Sequence, residues 1–343
     1  MDFESFLRQL PKVDLHCHLA GTLRPTTMAE LAAKHGVTLP RPPAQLYEFA
    51  DFYDFIDILR RGAQVVVDQG DFARVTYEAL LDGAEAGNLK HAELFFNPQY
   101  FYPNGTTYKT MLDGMIEGLV AAERDFAVSG LLIACVDRQI DPGAAMQILD
   151  DVLADRRDRV VGIGLDGPER AGPPAGFGAL YRRAGQAGLL RTAHVCEDNQ
   201  SLAEAPPSHY EDCRDILGCD RLDHGYNLLA DPRVVARARD EGRFFTTCTV
   251  TSVSRNLERR AKSIARMVEL GLNVTVNTDD PQMFHTDIAD CYVRLFRATG
   301  WGVAEAVMLS LNGVAASWLP DAAKRTLARQ FEAEIAALQA VLA

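Results

Sequence analysis

Val13-Asp14-Leu15-His16-Cys17-His18 is a short apolar run that passes directly into two histidines, and the fold turns on how many such runs the chain holds. The sequence has eight of them, at residues 13–15, 92–96, 131–136, 160–165, 190–195, 221–224, 244–248 and 273–277. Between them lie segments of helical period at 72–86, 110–123, 142–155, 177–187, 232–241 and 260–270. A succession of strand-then-helix units is what a closed parallel barrel requires. The runs are nearly continuous in apolar residues, as parallel strands covered by helices should be. An open doubly wound sheet would carry a glycine-rich phosphate loop after its first strand, and the sequence has none there. The expected fold is α/β: a single (β/α)8 barrel domain over residues 1–343, with an extra N-terminal lid segment and C-terminal helices at 303–343. The extra segment, 39–61, holds three prolines and then Phe49, Phe52, Tyr53 and Phe55. It reads either as a lid over the barrel mouth or as ordinary helix packing.

Composition narrows the partners. Hydrophobic residues make up 48% of the chain and charged residues 24%, enough for a large core and against disorder. A formal charge of −12 opposes the lysine- and arginine-driven affinity for nucleic acid, and equally any affinity for anionic membrane surfaces. No segment approaches the length of apolar sequence that spans a bilayer, and Met1-Asp2-Phe3-Glu4 is not a signal-peptide start. The seven cysteines are scattered and form no Cys-x-x-Cys pair, which reads as reduced thiols in a cytoplasmic protein. A small neutral or cationic molecule is the expected partner. The sequence leaves the oligomeric state open, a homodimer being one option.

The residues that carry chemistry fall at the C-terminal ends of the expected strands, where a barrel places its active site. His16 and His18, two apart on an extended strand, project from the same side and can share one ion. Taken alone they are equally a hydrogen-bonded polar pair. His194 ends the fifth strand with Glu197 three residues on, and His224 ends the sixth. Asp279 and Asp280 follow the eighth, where a helix N-cap would be the ordinary reading. Together, four of the eight histidines and an aspartate pair surround one cavity. Imidazole and carboxylate ligands without thiolates suit Zn²⁺ with a position left for water, whose pKa the metal lowers toward neutrality. His224 and Asp279 are placed to orient or deprotonate that water, and Glu197 to deliver a proton. Cys196 is expected to line the pocket.

These segments resemble the adenosine/adenine deaminase family of the amidohydrolase superfamily over nearly the whole chain. The likeness is carried by Pro11 through Pro25, Val160 through Gly167, the His194–Glu197 segment, Arg221-Leu222-Asp223-His224-Gly225 and Val276 through Pro281. It implies one Zn²⁺ per chain held by His16, His18, His194 and Asp279. It further implies hydrolytic deamination of a 6-aminopurine by metal-bound hydroxide, with Glu197 protonating the purine ring nitrogen and His224 activating the water. Asp280 would bond the imidazole-ring nitrogen of the purine and Gly167 would offer its backbone N–H, with His18 and Ala20 also facing the substrate.

Three departures bear on the substrate. Ala20 stands where the family usually has an acid, an Asp that binds ribose in adenosine-specific members. Cys196 occupies the glycine of the family's His-Ala-Gly-Glu, and Cys248-Thr249-Val250-Thr251-Ser252 replaces Cys-Pro-x-Ser-Asn. Phe96-Asn97-Pro98-Gln99, Gly164-Leu165-Asp166, Gly172-Pro173-Pro174 and Leu222-Asp223-His224-Gly225 lean toward adenine-type members. The expected substrate is thus an aminopurine other than plain adenosine. An N6-substituted aminopurine and a non-catalytic zinc- and purine-binding barrel are the alternatives. Base-flipping zinc deaminases are set aside because the chain has no Pro-Cys-x-x-Cys.

Overall fold

The computed structural model describes residues 1–251 and 257–342. Its strands are β1 (Lys12–His18), β2 (Leu89–Phe96), β3 (Ser129–Asp137), β4 (Val160–Asp166), β5 (Leu190–Arg191), β6 (His194–Val195), β7 (Leu222–His224), β8 (Phe244–Cys248) and β9 (Asn273–Asn277). They form two parallel arcs, β1-β2-β3-β4-β5 and β6-β7-β8-β9. The seam between the arcs closes where Cys17 bridges Asp279 in parallel, with Asp279 N donating to His16 O and His18 N to Asp279 O, each at 2.8 Å. The expected barrel is present.

One expected strand divides. Residues 190–195 do not form a single run. Ile163 pairs with Arg191 and His194 with Asp223, so the chain changes partners across Thr192-Ala193. Thr192 keeps its N–H on Ile163 O but turns its hydroxyl to Asp223, which spends that residue on the barrel interior.

Period-two alternation sorts the side chains. On β2 and β3 the residues Phe95, Ile133 and Cys135 cluster inside the barrel, whereas Leu94, Phe96, Leu132 and Ala134 join the main core beneath the helices. Below that layer a buried Arg221–Glu93 pair, 2.7 Å apart, braces the barrel. Above it the Phe95 ring lies 5.0 Å from His16 and 5.1 Å from His18, an apolar floor for the site.

Local sequence fixes the helix ends. A capping box of Asp68 and Asp71 opens helix Gln69–Gly87, and Asp287 caps Ile288–Thr299. Proline opens Pro232–Glu241 and left-handed Gly242 ends it. The extra segment forms helix Phe52–Ala63, whose Phe52, Phe55, Ile56 and Leu59 line the pocket at the barrel mouth and also pack into the main core, so both readings describe it. All seven cysteines are free and buried. Among the described residues no helix is long and apolar enough to cross a membrane.

Candidate active site

Four strands deliver the site residues to one end of the barrel. β1 contributes His16 and His18, β6 His194, and β7 His224, while Asp279 and Asp280 follow β9 and Glu197 follows β6. His224 and Asp279 both adopt left-handed backbone, φ +68°, which aims their side chains inward from the strand ends. That conformation costs on the order of 1–3 kcal/mol in a non-glycine residue and persists where the surroundings enforce it.

The ligand-type atoms stand where a small cation would hold them. His16 Nε2 lies 3.2 Å from Asp279 Oδ1, His18 Nε2 3.5 Å from the same oxygen, and His18 Nε2 3.1 Å from His194 Nε2. Four ligands at zinc distances around a tetrahedron would be about 3.3 Å apart. His224 also belongs to this group, for atoms of His16, His194, His224 and Asp279 lie within 4.8 Å of one another. Thus the four expected ligands converge, and the residue expected to hold water stands beside them.

Hydrogen bonds fix which imidazole nitrogens face inward. The Thr246 hydroxyl donates to Asp223 Oδ1 at 2.8 Å, so toward His16 Nδ1, 3.0 Å away, it accepts. His16 Nδ1 therefore carries the proton and Nε2 presents a lone pair to an aspartate oxygen. Two such lone pairs repel unless a cation lies between them. His16 Nε2 is indeed buried with no hydrogen-bond partner among the described residues. His194 Nδ1 stands 3.3 Å from Asp223 Oδ2, the carboxylate support that metal-binding histidines commonly have. Asp223 is held well below the usual carboxylate range: burial alone would raise it, and His194 and His16 outweigh burial. The donor set fits Zn²⁺.

The proton-transfer groups sit alongside. Glu197 Oε1 accepts from Asn199 Nδ2 at 2.6 Å and from Arg260 Nη2 at 3.0 Å, and lies 3.8 Å from His224 Nε2. Burial first, with Asp279 adding to it against the opposing Arg260, pushes the Glu197 carboxyl up to about 7. A carboxyl so placed keeps its proton near neutrality and can give it away. Tyr226 donates its hydroxyl to Cys248 O, and its oxygen lies 3.4 Å from His224 Nδ1. Its remaining acceptor capacity favours a proton on Nδ1, leaving Nε2 to receive one. Burial pushes His224 well below the ordinary imidazole range.

Asp280 lines the same pocket with Oδ1 buried and unpartnered among the described residues. Burial and then the Asp279 charge push its carboxyl well above the usual range, so it can donate to a ring nitrogen. A Cβ on Gly21 would lie 2.0 Å from Asp280 Oδ1, which restricts residue 21 to glycine. Gly167, φ +83°, is confined in the same way by Asp137.

Two expectations are corrected. Cys196 does not line the pocket: left-handed backbone, φ +53°, turns its Sγ to Pro206 O at 3.3 Å. Ala20 is buried in the turn Leu19–Thr22 and is not among the residues lining the pocket. Ser252 lies outside the described residues. The sequence reading missed Asp223, Thr246 and Arg260 as supporting groups. Asp223 was in view as part of a motif, and its place one residue before a strand-end histidine was the only signal available.

About 30 Å³ of the pocket is free, room for a water or two. Helix Phe52–Ala63 and Phe284 lie over this space. That roof is pinned by Arg170 stacked 4.2 Å over Tyr53 and by Arg60 bonded to Asp137. A larger cavity of about 730 Å³ lies outside the barrel, between helices Gln69–Gly87 and Ile288–Thr299, and contains none of these catalytic groups.

The chain is similar to known proteins over most of its length. Residues 11–334 match the family described as adenosine deaminase. An adenine deaminase of Vibrio parahaemolyticus is 31% identical, aligned over 97% of this chain and 98% of its own. The crystal structure of adenine deaminase from Arthrobacter aurescens superposes with a TM-score of 0.87 at 34% identity, covering 94% of this chain and 98% of that one. An amidohydrolase from Burkhoderia ambifaria with bound Zn gives 0.90 at 32% identity, covering 98% and 93%. With the family matched from the first strand to the last helix, the chain belongs to the adenosine deaminase family.

Proposed function

We propose that this protein is a zinc-dependent aminohydrolase that converts a 6-aminopurine, with the free base adenine preferred over adenosine, to the 6-oxo purine and ammonia. The observation that carries the reading is the convergence of His16, His18, His194 and Asp279 at 3.1–3.5 Å spacings beside a protonatable Glu197. Those four residues would hold one Zn²⁺ per chain, with His224 left to hold water. When bound, zinc supplies Lewis acidity that makes a water nucleophilic near neutral pH.

The chain's own residues do the rest. The roof of Phe52, Phe55, Ile56 and Leu59 excludes bulk water from the bound ring. Glu197 gives its proton to the ring nitrogen beside the amino-bearing carbon, making that carbon electrophilic. His224 Nε2 takes one proton from the attacking water and passes it to the departing amino group, which leaves as ammonia. The second water proton returns Glu197 to its acid form as the new C=O closes. Asp280 donates to the nitrogen of the five-membered ring and the Gly167 N–H to the far pyrimidine nitrogen. Relatives at 31–33% identity are named adenine deaminase, which supports the free base.

The test is ammonia release with ultraviolet spectra over adenine, adenosine and N6-substituted adenines, before and after chelation and zinc restoration. The expected result is greatest kcat/KM on adenine, lost on chelation and regained with zinc. A higher value on adenosine or an N6-substituted base would overturn the preference. Ammonia from none of them in zinc-replete protein would overturn the reaction.

A further inference from the structure

A fully buried guanidinium lies behind the acid. Arg260, on helix Leu257–Glu269, has none of its surface exposed, yet it comes from neither a strand end nor a segment carrying the family likeness. It places Nε and Nη2 on Asp198 Oδ1 at 2.9 and 2.8 Å, Nη1 on Val250 O at 3.1 Å and Nη2 on Glu197 Oε1 at 3.0 Å. Its plane lies 4.7 Å over the ring of Tyr226, the residue that contacts His224 Nδ1. A charge taken wholly out of water is retained only where it is paired and hydrogen-bonded. Here Asp198, which also pairs with Arg259, gives the Arg260 guanidinium an anionic partner other than Glu197.

We propose that Arg260 is a positioning residue for proton transfer: with Asn199 it occupies Oε1 of Glu197, leaves Oε2 to carry the transferable proton, and through Tyr226 holds the His224 ring in register. An acid with both oxygens free could place its proton on either and rotate. Two donors fixed on one oxygen remove that choice, because a carboxyl oxygen already accepting from a guanidinium and an amide is a poor site for a proton. The Asn199 amide is itself steadied by Thr251, whose hydroxyl donates to its Oδ1 at 2.8 Å. The inference rests on Glu197 acting as the acid.

The test is a double-mutant cycle on the zinc enzyme with adenine, using R260M and R260K, each alone and combined with E197Q. Zinc content and melting temperature are measured for all. R260M is expected to lower kcat about 100-fold, a typical share of general acid catalysis, while KM changes less than about threefold and zinc is retained. R260K, which keeps the charge but not the fork, should recover about tenfold of that loss. In the E197Q background either change should cost less than about threefold, since a positioning residue has nothing left to position.

Equal losses in both backgrounds, or zinc lost in parallel with activity, would make Arg260 merely structural and overturn the proposal. If R260M does not fold, R260K alone reads the same cycle. E197Q with unchanged turnover would remove the acid assignment itself. E197Q inactive with R260M at full kcat would remove only the role given to Arg260.

Discussion

The two arcs of the barrel are built to different rules. β1 to β4 run seven to nine residues each and are almost entirely buried. β5, at the end of the first arc, and β6 and β7, at the start of the second, run only two, two and three. Along the second arc the interior positions are polar: Thr192, Asp223, Thr246 and the histidines replace the Phe95, Ile133 and Cys135 of the first. Three of the non-glycine residues held in left-handed backbone, Cys196, His224 and Asp279, end strands there as well. Continuous apolar strands stabilise β1 to β4, while the stretch from β5 to β7 gives up ladder and packing so that polar groups can meet above the floor. β1 serves both, with apolar Leu15 below and two histidines above.

That contrast can be broken by matched substitutions. D223N leaves an acceptor for Thr192 and Thr246 but can turn an amide N–H toward His194 Nδ1–H, disturbing the tautomer that faces the metal. Its zinc affinity, measured by competition with a chelator, is expected to fall about 10–100-fold. E93Q in the first arc breaks the buried pair with Arg221. It should cost about 3–5 kcal/mol in denaturant unfolding yet leave zinc affinity within about threefold of wild type. Unchanged zinc binding in D223N would dissolve the division of labour between the arcs.

A smaller effect follows from Glu197. With its carboxyl pushed up to about 7, the proton-donating form predominates below that pH and is depleted above it. kcat/KM should then fall by about tenfold per unit above pH 7, and fall again in acid as ligand imidazoles protonate and metal is released. A profile flat from pH 6 to pH 9 would contradict the role of the acid. The smallest effect concerns Cys196. Glycine fits φ +53° without strain but costs chain entropy, so C196G should gain stability by less than about 1 kcal/mol in thermal unfolding. A clear loss would mean that the Sγ contact with Pro206 matters more than the backbone.

The same division governs what could be read from the sequence. Phe244–Cys248, Asn273–Asn277 and Pro232–Glu241 coincide with their expected bounds because apolar period, proline and glycine mark them locally. His16, His18, His194, His224 and Asp279 were legible as strand-end residues, and the structure brings them together. The break in 190–195 was not legible, since Thr192 looks like any β-branched strand residue until Asp223 is known to lie beside it. Nor could a local pattern show that Arg260 reaches Glu197 across 63 positions, or that Cys196 turns away from the pocket.

The central claim is tested most directly by X-ray absorption at the zinc edge on protein purified without added metal. The account predicts about one zinc per chain with a shell of nitrogen and oxygen at about 2.0–2.2 Å, including outer-shell scattering from three imidazoles that diminishes in H194A. A sulfur shell at about 2.3 Å, or a spectrum unchanged by H194A, would contradict it.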